Sequence, residues 1–269
     1  MSHRLRFACA LLLLLTACVK REAPPASGAD PAPTPAASRT IGVDYGAVLT
    51  APGRPAADRE QDASRKPAES LAFFAVQPGM TALDLFAGAG YYSELLAAAV
   101  GPTGRVVAHN NKAYLSGVGE ELTRRFADSR LPNVEQMAAE ANELGLTPGR
   151  FDFVLLSAAY HDVYYVNEAQ NWPKIDGPRL LAELFEGMRP GATLIVIDHA
   201  ATPGSPAETG GTLHRIDPAI VKTDFASAGF VLDGESDVLR NPADDFTKNV
   251  FDPAVRYKTD RFMLRFRRP

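Results

Sequence analysis

The sequence predicts an α/β fold, a doubly wound and mostly parallel seven-stranded sheet with an antiparallel last strand. Three observations carry this. Residues 78–96 read as a turn, a short buried strand, a glycine loop and a helix, and β and α units alternate from there onward. Residues 151–157 form the continuous apolar run of a strand covered on both faces. Residues 260–267 instead alternate in character, as a return strand at the end of a sheet does.

Residues 1–17 stand outside that fold. Arg4 and Arg6 precede an apolar run over residues 7–15, too short to span a bilayer, which is the pattern of a secretory signal. Leu15-Thr16-Ala17-Cys18 resembles the bacterial lipobox. That resemblance implies cleavage before Cys18, its lipidation, and a protein anchored to a membrane of the bacterial cell envelope on the extracytoplasmic or periplasmic face. The other reading is an ordinary signal with an incidental cysteine. Cys9 leaves with the signal and Cys18 goes to the lipid, so no disulfide is expected in the mature domain. Residues 18–50 contain Pro24, Pro25, Pro31, Pro33 and Pro35 and are expected to form an extended tether. Residues 51–269 are left for the domain.

The composition, 46% hydrophobic, suits a globular core rather than a disordered chain. The net charge of −4 becomes about two units more negative without Arg4 and Arg6, which argues against a nucleic-acid surface. Arg265, Arg267 and Arg268 are too few to reverse it.

In the glycine loop, Gly88 and Gly90 remove side chains where a strand turns into a helix, so backbone N–H groups and the positive helix end can face a ligand. The dinucleotide fingerprint requires a third glycine where Ser93 stands, and no P-loop spacing occurs. A packing turn with no ligand is the plainer alternative. The remaining pattern, Asp84-x-Phe86-x-Gly88-x-Gly90, resembles the first motif of the class I S-adenosylmethionine-dependent methyltransferases, with Phe86 where many members carry a glycine. The resemblance implies a Rossmann-like methyltransferase fold and S-adenosylmethionine as cofactor, held by Asp84, Phe86, Gly88, Gly90 and Tyr91. It also implies a ribose contact at the end of the second strand, where His109 and Asn110 replace the usual acid, and Glu140 near the adenine amino group. For Glu140, a surface loop carboxylate is the alternative.

The other elements follow in order. Residues 54–66 are charged and read either as a lid or as a solvated face. A helix is expected over 68–75, strands over 104–110 and 134–138, and a helix over 116–129. After the strand at 151–157 comes Tyr160-His161-Asp162, and then an insert, 167–178, whose Trp172 is placed to cover a substrate. A helix over 179–188, a strand over 193–198, a helix over 218–228 and a strand from 229 complete the pattern.

Ligands of open α/β sheets bind beyond the carboxyl ends of the strands. His109, His161, His199 and His214 all fall at expected strand ends or in loops, so several are expected to share one rim. Tyr160, His161, Asp162, His199, His214 and Arg215 are the candidate catalytic residues. His161 is the preferred base, and Arg215 is either a clamp for a substrate carboxylate or a loop staple paired with Asp217 or Asp198. A metal held with Asp162, Asp198 or Asp217 is a second use of the histidines. With neither H-x-x-x-H nor H-E-x-x-H present, no metal is predicted.

Arg65-Lys66-Pro67, Gly88-Ala89-Gly90-Tyr91-Tyr92, Tyr160-His161-Asp162 and Leu213-His214-Arg215-Ile216-Asp217 resemble a group of predicted bacterial methyltransferases whose substrate is unassigned. The expected function is methyl transfer to a small-molecule acceptor. The alternative is a lipid-anchored binding protein on a methyltransferase scaffold with lost or altered cofactor use.

Overall fold

The computed structural model describes residues 43–269. The signal, Cys18 and most of the tether lie outside the described residues. The fold begins earlier than residue 51, because Tyr45–Leu49 (α1), assigned above to the tether, is helical and buries Val48. Asp44 caps it by accepting from the Ala47 N–H.

Ala56–Arg65 (α2) and Pro67–Phe74 (α3) precede Thr81–Leu85 (β1) and Tyr91–Val100 (α4). Then come Arg105–Asn110 (β2), Lys112–Phe126 (α5), Val134–Ala138 (β3) and Phe151–Ser157 (β4). Gly177–Gly187 (α6), Met188–His199 (β5), Thr209–Leu213 (α7), Pro218–Ser227 (α8), Val231–Ser236 (β6) and Arg261–Arg267 (β7) complete the domain. The strands form one sheet in the order β3-β2-β1-β4-β5-β7-β6. β7 lies between β5 and β6 and runs antiparallel to both, and the other adjacent pairs are parallel.

Alternation within each strand sends neighbouring residues to opposite faces. Leu83, Val154, Leu156, Leu194 and Val196 pack on one side with Leu180, Leu184 and Phe225 of α6 and α8. Ala82, Phe153, Leu155, Ile195 and Ile197 pack on the other with Leu71, Phe74, Leu95 and Leu96 of α3 and α4. Both faces are therefore covered, and the order in which strands are added to the sheet reverses between the parallel neighbours β1 and β4. Those two strands are in register from Ala82 opposite Phe153 to Leu85 opposite Leu156. This is the switch point where doubly wound sheets open a crevice.

The charged segment at 54–66 divides between the two readings: Gln61, Ser64 and Arg65 line the cavity described below, Arg59, Glu60 and Lys66 are exposed, and the rest is tied to the domain. Asp58 of α2 is buried against Arg125 of α5, and Asp62 accepts from Arg54 and from the Tyr91 hydroxyl. These links tie α2 over the glycine turn.

Candidate active site

A cavity of about 910 Å³ opens beyond the carboxyl ends of the strands. Tyr114, Tyr165 and Trp172 give it an aromatic wall, and Arg65 and Arg261 bring positive charge. His161, Asp162, His199 and His214 all line it.

His161 follows β4 in a short 3-10 turn and is fixed twice by Asp198, near the end of β5. Its backbone N–H donates to Asp198 Oδ2 at 2.9 Å, and its Nδ1 lies 2.7 Å from Oδ1. Its Nε2 is 3.4 Å from Asp162 Oδ1 and 3.3 Å from His214 Nδ1, and His214 Nδ1 is 3.5 Å from the same Asp162 oxygen. The Tyr114 hydroxyl donates to the other Asp162 oxygen at 3.0 Å. Burial lowers the His161 pKa, but the charges of Asp198 and Asp162 outweigh it and raise it to about 9. At neutral pH, the apo imidazole is therefore held as a cation.

His214 reaches this cluster through an unusual backbone, with φ at 53° in the left-handed region. Its ring packs between Tyr165 and Phe251, with centroids 5.1 and 4.9 Å away. His199 stands 6.0 Å from His161, ring to ring, and its Nδ1 meets the Thr259 hydroxyl at 2.7 Å. Burial, and then the His161 charge, hold His199 well below the usual histidine range.

Of the six catalytic candidates, Tyr160 and Arg215 fall outside the cavity lining, as do the cofactor candidates Asp84, Phe86, Gly88, Gly90, Tyr91, Asn110 and Glu140. Tyr160 points away and donates to Asp224 at 2.8 Å, where Tyr164 also donates. Arg215 is fully buried and pairs bidentately with Asp244, at 2.7 and 3.1 Å. Neither Asp217 nor Asp198 is its partner. Asp217 instead caps α8 by accepting from the Ala219 N–H.

The glycine turn is stapled from within. Gly88 N–H donates to Asn110 Oδ1 at 2.9 Å, and Asn110 Nδ2 donates back to the Gly88 carbonyl at 3.0 Å. Asn110 is thus bound to the turn. His109 accepts from the Phe86 N–H and meets the Ala139 carbonyl through Nε2, and burial lowers its pKa to about 4. Phe86, at φ 56°, stacks on Tyr114 and approaches Trp172, with centroids 5.6 and 6.0 Å away. Gly90 is glycine for a protein neighbour: at φ 83°, an added Cβ would lie 2.9 Å from Arg125 Cδ. Tyr91 is buried and spends its hydroxyl on Asp62. Glu140 accepts from the Lys112 N–H at 3.3 Å.

No protein-family model matches the chain. It is 27% identical over 130 residues to a demethylmenaquinone methyltransferase of Listeria monocytogenes, a match that spans 48% of this chain and 49% of that protein. It is 28% identical over 132 residues to the ubiquinone/menaquinone biosynthesis C-methyltransferase UbiE of Ectopseudomonas mendocina, spanning 49% of this chain and 46% of that protein. The chain thus spans about half the length of the curated relatives it matches. The crystal structure of an S-adenosylmethionine-dependent methyltransferase from Aquifex aeolicus superposes with a TM-score of 0.53 at 22% identity, covering 77% of this chain and 94% of that one. This chain has the class I methyltransferase fold.

Within the methyltransferase fold, the turn is suited to an adenosyl cofactor in its backbone and obstructed in its side chains. Gly88 and Gly90 both have positive φ, and an added Cβ at Gly88 would meet nothing nearer than Tyr114 Cε1 at 3.9 Å. Tyr114 separates that face from the cavity it also lines. The obstructions are the Phe86-Tyr114-Trp172 rings and the Asn110 staple. Arg125, Asp58 and Tyr114 support the turn and cluster but are missing from the candidates above, because long-range ion pairs and hydroxyl contacts leave no local pattern.

Asp84 closes β1 as a buried carboxyl that accepts from the Ser93 hydroxyl at 2.6 Å, and burial raises its pKa to about 7. A raised folded pKa favours the protonated native form, a contribution complete below the unfolded pKa and lost as pH rises to about 7. Asp84→Asn should therefore gain stability relative to wild type as pH rises from 5 to 8, by roughly 1–4 kcal/mol at the plateau. Urea midpoints across that range check it, and a difference independent of pH would show that Asp84 is ionised throughout.

Proposed function

We propose that the chain is an S-adenosylmethionine-dependent methyltransferase acting on a small molecule, the reading carried by a positive-φ glycine turn beside a large polar-rimmed cavity at the switch point. The relatives named above are methyltransferases, which supports it. When bound, the cofactor would supply an electrophilic methyl group on sulfonium. The aromatic wall excludes water around a flat acceptor, and the His161-Asp162-His214 cluster receives the acceptor's proton as a unit. The buried Nε of Arg261 has no hydrogen-bond partner among the described residues, and Arg65 lines the same cavity, which favours an acceptor carrying an anionic group. In the same reading, the Cys18 anchor holds this chemistry on the extracytoplasmic face of the cell envelope.

Cofactor binding on this reading requires Tyr114 and Trp172 to move off the glycine turn. Calorimetric titration with S-adenosylmethionine and S-adenosylhomocysteine is expected to detect binding in wild type, tighter binding in Trp172→Ala, and none in Gly88→Val. The filled turn favours a second reading, a binding protein with altered cofactor use. Absence of binding in both wild type and Trp172→Ala would select it.

A further inference from the structure

We propose that His161, Asp162 and His214 form a binding site for a divalent transition-metal ion of the zinc type, with one coordination position open to the cavity. The argument starts from a triangle. His161 Nε2, Asp162 Oδ1 and His214 Nδ1 lie 3.3, 3.4 and 3.5 Å from one another, and all three residues line the cavity. A tetrahedral ion with bonds of about 2.0–2.2 Å separates its ligand atoms by roughly 3.3–3.6 Å. Octahedral bonds of the same length bring neighbouring ligands to roughly 2.8–3.1 Å, so the triangle matches the tetrahedral case. Two imidazoles and a carboxylate, with the fourth position left to solvent or substrate, is the donor set of an open zinc site rather than a closed structural one.

The surroundings of the triangle are those a metal site needs. Asp198 contacts His161 Nδ1 at 2.7 Å, which turns Nε2 toward the triangle and fixes the ring, and a bound ion would displace the proton from Nε2. The Tyr114 hydroxyl donates to Asp162 Oδ2 and leaves Oδ1 facing the two nitrogens. His214 is brought in from a separate segment by a left-handed backbone conformation that costs energy for a non-glycine residue, and its ring is then gripped by Tyr165 and Phe251. Asp217 caps a helix and Asp198 holds a ring, so of the three acids only Asp162 supplies the oxygen.

The test is zinc binding by the full chain, stripped of metal and titrated against a chromophoric chelator, with cobalt substitution read by visible absorption. One ion per chain is expected, and the cobalt form should show the intense bands of four-coordination. His214→Ala and Asp162→Asn should weaken zinc about 100-fold or more while the thermal midpoint of the stripped protein stays near wild type. Asp198→Asn should weaken it roughly 10–100-fold by loosening the ring of His161. Absence of stoichiometric binding, or binding that survives unchanged in both His214→Ala and Asp162→Asn, overturns the site and leaves the triangle as a proton-shared hydrogen-bond cluster.

Discussion

Arg125→Ala is expected to destabilise the domain by about 3–5 kcal/mol, lowering the thermal midpoint by roughly 10 °C or more. Arg125, Asp58 and Glu94 are all buried. The guanidinium holds Asp58 at 2.8 and 2.9 Å, Glu94 at 2.6 Å, and the Ala89 carbonyl in the glycine turn. Glu94 keeps a second partner in Arg130, but Asp58 loses its only guanidinium partner among the described residues and is left charged inside the protein. The stem of Arg125 also fills the space that Gly90 leaves, so truncation loosens the turn and opens a gap beside it. Arg125→Lys retains the charge without the fork and should fall in between. Replacing Arg125 and Asp58 together by apolar residues of similar volume should recover much of the loss, since a buried pair removed whole strands no charge. Chemical denaturation of the four proteins checks this. A loss below about 1 kcal/mol for Arg125→Ala would mean that the pair is solvated and that α2 is not tied to the turn.

The contrast between that ion pair and the turn it supports shows what the sequence made legible. β1, the two glycines and α4 are encoded within neighbouring residues, in an apolar run, two positions free of side chains and helical spacing. The sheet followed from repetition of the same pattern, and the antiparallel β7 from its alternation. Arg125 and Asp58 are 67 positions apart, and nothing periodic joins them. The charges of α2 therefore resembled a solvated surface.

The protein contacts of Phe86 and Asn110 were hidden from the sequence for a related reason. Each was weighed as a substitute for the residue that usually touches cofactor, whereas each is satisfied by the protein, one in a ring stack and the other on Gly88. The rim containing His161, Asp162 and His214 was legible because strand ends converge in a doubly wound sheet whatever their sequence separation. Adjacency to His214 misplaced Arg215. The left-handed turn at residue 214 directs one side chain to the cavity and the next into the interior.

Arg215→Ala should therefore act on stability first, with an expected loss of about 3–5 kcal/mol. Asp244 accepts from both Arg215 Nη atoms and from the backbone N–H groups of Asp260 and Phe246, at 2.6 and 3.2 Å. Burial alone would raise the Asp244 pKa, but Arg215 and those N–H groups hold it below the ordinary carboxylate value. Its share of stability is thus complete above the unfolded pKa and lost as pH falls through the lower folded one. Arg215 also donates to the Lys248 and Ala200 carbonyls at 2.9 and 3.0 Å, so one side chain joins the loop at 241–250 to the chain leaving β5. Removal leaves a buried carboxylate with backbone donors only and two carbonyls without their partner. His214 is the preceding residue, so its ring should shift as well, and ligand binding in the cavity should weaken in the fraction that remains folded. A substrate clamp would give the opposite pattern, with affinity lost and the denaturation midpoint kept. Urea unfolding of Arg215→Ala and of Arg215→Met with Asp244→Leu separates the two roles. The single variant should lose stability at neutral pH, and the double variant should regain the part owed to the stranded charge, while the unpaired Lys248 and Ala200 carbonyls and the Asp260 and Phe246 N–H groups keep it below wild type.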